Sequence, residues 1–358
     1  MKVVTFILPS AASKPVGGFK IIFEYANRLI KDNYQVNIVL PATLLWQERK
    51  IKEKIKGIIR YPYFKIKKSR YEPFSWFPLD KNIKILWVPT LEEKYIPNGD
   101  FVFATACETA EYVNRYTEIK GKKYYLIQSY ENWSFTEERL VKTWKMNLQK
   151  IVISKYLSDK AKEIDEKSIY IENGLDFKNF YIEGTQKKET NTIMMLFHEN
   201  EKVKQSKKAI HKFINLKKYR NELKLVLFGT SERPNFLPDW IEYYQMPTKD
   251  KLRELYNRAT LFVSPSNIEG WALPPAEAMQ CGTCVCVTNI PGHEYVEHLK
   301  TGYKIDKDLE NLESEVEKLL DDRRRLLELG EAGNKYIQKF TWEKAYMKLK
   351  SFLEEDKN

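Results

Sequence analysis

Short, almost continuous apolar runs alternate along this chain with stretches whose apolar residues recur at helical spacing. "KVVTFIL", "QVNIVLP", "NIKILWV", "DFVFAT", "KKYYLIQ", "KIVIS" and "SIYIE" form one series of such runs. "TIMMLF", "LKLVLFG", "TLFVSP" and "TCVCVT" form a second. Between them, Phe19, Ile22, Phe23, Ala26, Leu29 and Ile30 share one helical face, and 249–258 reads as another helix. A strand that is apolar on both faces belongs inside a parallel sheet covered by helices on both sides. The pattern therefore predicts an α/β protein with two such series, divided near residue 175. The join, "ENGLDFKNFYIEGTQKKETN", is rich in Gly, Asn and charge and reads as a linker. A last amphipathic helix carries Trp342, Ala345, Tyr346, Leu349, Phe352 and Leu353.

Composition adds limits rather than a class. The chain has 358 residues, 43% hydrophobic and 30% charged, enough for two domains. No run approaches the roughly 18–20 apolar residues of a membrane span. The first strand is too short for a signal-peptide core and lacks a cleavage site, so the expected location is the cytoplasm. Four Cys in this length do not make a disulfide framework. The net charge of +11 is uneven: 51–70 holds eight Lys or Arg against one acid, and Phe74, Trp76 and Phe77 follow. Two readings of 51–77 fit: a solvated surface segment, or a patch facing the phosphate of an anionic membrane surface or lipid-linked acceptor. Basic and aromatic residues also suit nucleic acid, but no recognition module accompanies them, so no nucleic-acid partner is expected.

The chemistry concentrates in "SNIEGWALPPAEAMQCGTCVCV" (266–287). The strand "TLFVSP" ends there, and Pro274-Pro275 mark a helix start, where a missing N–H loses nothing. Glu277 would lie in the first turn and Glu269 in the loop before it. A helix N-terminus is a seat for phosphate, with the N–H groups of Gly270, Trp271, Ala272, Leu273 and Ala276 as donors. Glu277 would then accept from a ribose diol, and Glu269 would face what lies beyond the phosphates. The plainer alternative is that Glu277 caps the helix and Glu269 is solvated. Cys281, Cys284, Cys286, His293 and His298 imitate zinc spacing, but the intervening loop is short and "TCVCVT" is an apolar strand, so no metal is expected. Asp306 and Asp308 in "DKD" read as N-caps of the next helix.

"EGWALPPAE" resembles the E-x7-E motif of GT-B glycosyltransferases, glycosyltransferase family 4 in particular. The resemblance extends along nearly the whole chain, in order: "KPVGGFKIIFEYANRLIKDNYQVNIVLP", "IVISKYLSDKAKE…IYIENGLDFKNF", "LVLFGT", "LYNRATLFVSPSNIEG" and "EAMQCGTCVCVTNIPGHEYV". It implies two Rossmann-like domains with parallel sheets facing across a cleft. The acceptor domain would be 1–175, joined by the returning helix 341–358, and the nucleotide-sugar domain would be 176–340. It implies a retaining transferase that needs no metal, moves a sugar from a nucleotide-diphosphate sugar to a glycan, lipid-linked or protein acceptor, and serves surface polysaccharide synthesis. It places Glu277 on the ribose and Glu269 on the donor sugar, and it lets Gly17 and Gly18 approach the diphosphate. The family's Arg and Lys-Gly pair is altered: Lys204 fits the Lys with Lys202 as an alternative, Gln205 replaces the Gly, and His198 stands near the Arg position. Trp271-Ala272 replaces Phe-Gly. All four His lie in the second half, so Gln128, Tyr130 and Glu131 are the polar groups expected on the acceptor side, with Glu131 the catalytic candidate. The altered phosphate loop keeps a second reading open, a non-catalytic relative that stabilises a partner transferase.

Overall fold

The structure, a computed structural model, describes residues 1–11, 14–44, 76–184 and 187–355, with isolated positions at 55, 59, 61, 62 and 66. Most of the basic segment 51–77 therefore lies outside the described residues. Its last two members do not behave as a membrane-facing pair. Phe77 is buried, and the rings of Trp76 and Phe77 each stand 5.4 Å from Phe23 in the core.

The chain divides into two compact units, Met1–Glu172 with Tyr346–Asn358, and Asn173–Ala345. In the first, strands β1 (Val3–Ile7), β2 (Gln35–Pro41), β3 (Lys84–Val88), β4 (Phe101–Ala104), β5 (Lys122–Ile127), β6 (Gln149–Val152) and β7 (Ser168–Tyr170) form one sheet. Its order is β3-β2-β1-β4-β5-β6-β7. Every pairing is parallel. Helices α1 (Gly17–Lys31), α2 (Cys107–Val113), α3 (Glu137–Trp144) and α4 (Lys155–Glu163) make the crossovers β1–β2, β4–β5, β5–β6 and β6–β7. Parallel neighbours need such long returns, and that is why strand and helix patterns alternate in the sequence.

The second unit repeats the plan. Strands β8 (Thr192–Leu196), β9 (Lys224–Gly229), β10 (Ile241–Gln245), β11 (Leu261–Ser264), β12 (Cys284–Thr288) and β13 (Tyr303–Ile305) lie in the order β10-β9-β8-β11-β12-β13. All are parallel. The helices are α5 (Glu201–Lys204), α6 (Ser206–Tyr219), α7 (Lys249–Arg258), α8 (Leu273–Gln280), α9 (Leu312–Asp321) and α10 (Arg323–Ile337). One face of the sheet is sealed by Ala209, Ile210, Phe213 and Leu216 of α6 with Leu312, Val316 and Leu319 of α9. The final helix, α11 (Trp342–Glu355), begins in this unit and passes to the first, where Leu349 and Leu353 are buried. There Phe352 meets Tyr124 edge-on at 5.6 Å, and Lys350 pairs with Asp32 at 2.6 Å.

The join is not a free linker. Phe180 is buried against Tyr256, and Arg253 holds Glu183 at 2.6 Å. Lys188 reaches inward to Thr283 Oγ1 at 2.6 Å and to the carbonyls of Tyr256 and Cys281. Burial lowers its pKa to about 8. Part of the polarity in this segment serves these specific contacts.

Candidate active site

In an open parallel sheet, ligands settle beyond the carboxyl ends of the strands, at the point where strand order reverses. The second unit reverses between β8 and β11. The segment after β8 carries Lys204, and the loop after β11 carries Glu269. The structure pairs them: Lys204 Nζ donates to Glu269 Oε1, with both side chains about one-fifth exposed. Lys202 points its side chain to solvent instead. Its carbonyl accepts from Asn267 Nδ2 at 2.7 Å, and the Asn267 amide donates to the Val203 carbonyl at 2.9 Å. Two hydrogen bonds thus latch the Glu269 loop to α5. Of the two lysines, Lys204 is the one that meets Glu269.

Gln205 occupies a backbone conformation that favours glycine. Its φ of 48° and ψ of 27° lie in the left-handed region, which glycine enters without a steric penalty. Gln205 holds that conformation while its Nε2 donates to the carbonyls of Pro265 and Lys307, each at 2.9 Å. The side chain therefore bridges the end of β11 to the turn after β13. His198 lies beside the pair. Its Nδ1 accepts from the Asn200 amide at 3.0 Å. Its pKa is lowered by desolvation first and by Lys204 second.

Helix α8 begins at Leu273, one residue before the proline pair, and has no acid in its first turn. Glu277 is its fifth residue, which corrects the first-turn placement. The carboxylate is 7% exposed and accepts from Tyr256 OH at 3.3 Å. The Ala272 amide is also not free for a ligand, because it donates to the Gly292 carbonyl at 3.2 Å. The amides of Gly270, Trp271 and Leu273 have no partner among the described residues. The Trp271 indole is buried between Tyr295 at 4.5 Å and Phe340 at 5.7 Å, so this side chain builds the loop's floor. Tyr295 OH fixes the Ala272 carbonyl at 2.6 Å.

Two residues in this loop's support were not singled out as such from sequence. A Cβ on Gly292 would stand 2.4 Å from the backbone oxygen of Glu269, so only glycine lets the two segments touch. His293 is fully buried. Its Nδ1 lies 3.0 Å from the Thr288 carbonyl and its Nε2 lies 3.2 Å from Ser264 Oγ. A carbonyl only accepts, so Nδ1 carries the proton and Nε2 accepts from the serine. Burial lowers the pKa of His293 to about 4 and keeps it neutral. It is a strut between β11 and β12. Cys281, Cys284 and Cys286 are buried thiols with raised pKa values. The acids of "DKD" do not cap a helix. Asn311 is the N-cap residue of α9, and Asp308 Oδ1 accepts from the Glu310 amide within a turn.

The first sheet reverses between β1 and β4. Gly17 and Gly18 open α1 there, with no side-chain cap and no acid in the first turn. The missing Cβ of Gly18 faces the Gln128 amide at 3.4 Å, and Gln128 Oε1 is buried without a partner among the described residues. Tyr130 is not an available polar group, because its OH donates to Glu137 and its ring packs on Trp144. Glu131 accepts from the Cys107 amide at 2.7 Å and from Tyr125 OH at 3.3 Å. Desolvation first, and Glu108 second, raise its pKa to about 7. Cys107 Sγ and the carboxylates of Glu108 and Glu131 come within 4.8 Å of one another, the spacing a cation would need. Burial holds that thiol protonated, and it donates to Glu108 at 3.4 Å.

Comparison with known proteins places the second unit. Residues 177–336 match the family described as glycosyl transferases group 1. A serotype-specific mannosyltransferase of Escherichia coli is 36% identical over 95 residues, which cover 26% of this chain and 12% of that protein's length. A capsular polysaccharide biosynthesis glycosyltransferase of Staphylococcus aureus is 24% identical over 265 residues, covering 67% of this chain and 69% of that one. An Anabaena protein solved in complex with UDP and glucose superposes with a TM-score of 0.72 at 12% identity, covering 99% of this chain and all of that one. The fold is that of the GT-B glycosyltransferases.

Proposed function

Because this chain carries a glycosyl transferases group 1 segment on a GT-B fold, we propose that it is a glycosyltransferase that takes a sugar from a nucleotide-diphosphate sugar. The observation that carries the reading is the Lys204–Glu269 pair at the reversal point of the second sheet, beside three amides without a partner among the described residues and the start of α8. A departing nucleoside diphosphate gains negative charge as the sugar leaves. Lys204 and the amides before α8 are placed to meet that charge, which is the largest kind of catalytic stabilisation. Glu269 then faces the sugar, and Glu277, held by Tyr256, faces the ribose. Gly17 and Gly18 leave room for the diphosphate at α1, and Glu131 serves the acceptor. The leaving phosphate oxygen takes the acceptor proton, the anomeric configuration is retained, and no metal is required. A glycan or lipid-linked acceptor of surface polysaccharide synthesis fits the Staphylococcus aureus relative.

The test is a thermal-shift screen of UDP, GDP, ADP and their sugars, followed by hydrolysis of any sugar that binds. A ligand that binds only the native state raises the melting temperature by mass action. One nucleoside diphosphate should do so, and Lys204→Ala should abolish the shift. If none does, the reading fails. Binding without turnover of any sugar would favour a non-catalytic partner role.

A further inference from the structure

The turn after β5 presents a tryptophan that the fold does not use. Ser134 N–H donates to the Glu131 carbonyl at 3.0 Å, closing a turn with Asn132 and Trp133 at its centre. Trp133 is 53% exposed, whereas Trp144, Trp271 and Trp342 are all buried. The exposure is not slack. Before the turn, the Glu131 carboxylate is fixed by the Cys107 amide and Tyr125 OH. After it, Phe135 is buried beneath the Arg139 guanidinium at 3.9 Å, and Arg139 is itself held by Glu111 at 2.8 Å. An indole is thus held out on a turn anchored at both ends, at the carboxyl edge where β4 and β5 also deliver Glu108 and Glu131.

We propose that Trp133 is the stacking platform of a subsite for a neutral pyranose of the acceptor, with the carboxylates of Glu108 and Glu131 at its base receiving sugar hydroxyls. This rests on the transferase reading and adds to it the chemical class of acceptor. A pyranose has an apolar C–H face that suits an indole and a rim of hydroxyls that suits carboxylates, the mix of one apolar wall and a few fixed polar groups that marks small-molecule sites. The charge around the turn selects against the other occupants of an exposed aromatic. Glu131, Glu137 and Glu138 flank it in sequence, Glu108 adjoins Cys107, whose amide holds Glu131, and the nearby Arg139 and Lys142 are engaged by Glu111 and Glu138. An anionic membrane or a nucleic acid would meet repulsion there.

The experiment titrates the full chain with neutral gluco-, manno- and N-acetylglucosamine oligosaccharides at millimolar concentration, following intrinsic tryptophan emission and calorimetric heat. At least one should bind the wild type and change its emission. Trp133→Ala should weaken that binding about tenfold and remove the emission change, while Trp133→Phe keeps most of the affinity. Ile119→Ala, an exposed apolar change near the amino end of β5, should bind like the wild type. If no oligosaccharide binds the wild type, or if Trp133→Ala binds as well as it does, the proposal is overturned. Binding of phosphatidylcholine–phosphatidylglycerol vesicles through Trp133 would overturn it as well. Nucleoside diphosphate titration of the wild type separates the outcomes: its failure sinks the transferase reading, and its success with no oligosaccharide effect sinks only the subsite.

Discussion

Lys204 and Glu269 pair with each other, so under the proposed function a diphosphate must compete with Glu269 for the ammonium. Glu269→Gln keeps the shape and removes the competitor. Its affinity for the selected nucleoside diphosphate should rise about fivefold, matching the roughly 1 kcal/mol of a partly exposed pair, while sugar transfer falls. Calorimetric titration reads this, and an unchanged or weaker affinity would show that Glu269 does not hold Lys204 back. His293 sets a second expectation. Its folded pKa of about 4 lies below the usual value near 6.5, so the unfolded chain takes up the proton first as the pH falls. Stability is therefore lost between pH 6.5 and 4, by about 3 kcal/mol in all. Urea melts across that range should show a flatter profile for His293→Asn, and an equal slope would remove the histidine from the acid response. Glu269 and Glu277 were legible because a motif spacing marks them. The supporting roles of Gly292 and His293 were not, because Glu269 and Ser264 approach them through space from 23 and 29 residues away.

Gln205 shows at the element scale how a helix junction tolerates the wrong residue. Gln205→Ala keeps the left-handed backbone and loses both side-chain bonds, which should cost about 2 kcal/mol. Gln205→Gly loses the same bonds but relieves the strain, so it should be about 1 kcal/mol more stable than the alanine variant. Equilibrium unfolding of the two gives the sign, and an alanine variant at least as stable as the glycine one would defeat the argument. Most strands were readable because burial on both faces leaves unbroken apolar runs. β10 escaped because "IEYYQ" is an edge strand, mostly half-buried, and its Glu242 pairs with Arg258 at 2.7 Å. β13 escaped because its three residues, "YKI", are split by a lysine and form no apolar run. The segment read as a linker was misjudged for a related reason. Composition reports polarity, but not that Lys188 and Glu183 have found partners.

Over the whole molecule, both the alternation of strands and helices and an amphipathic last helix were written in the apolar pattern, whereas the return of that helix to the first unit was implied only by the family resemblance. The side-chain pairings that make α11 part of the first unit were legible in neither. Ending the chain at Ala345 would strip Leu349, Phe352 and Leu353 from that unit, a loss of roughly 5 kcal/mol at about 1.5–3 kcal/mol for each buried side chain. Hydrogen exchange should show β5 losing protection, because Phe352 packs on Tyr124, while β12 in the second unit keeps it. Equal losses in both strands would mean that the helix acts on more than its own unit.

The four cysteines have a practical consequence on the same scale. Cys107, Cys281, Cys284 and Cys286 are all buried, and burial raises every thiol, Cys281 and Cys284 to about 12. A thiol reacts as its thiolate, so the native protein should ignore maleimides at neutral pH. A single cysteine placed at an exposed position would then be the sole point of attachment for a dye or spin label, and distances in solution become measurable without first removing any native residue.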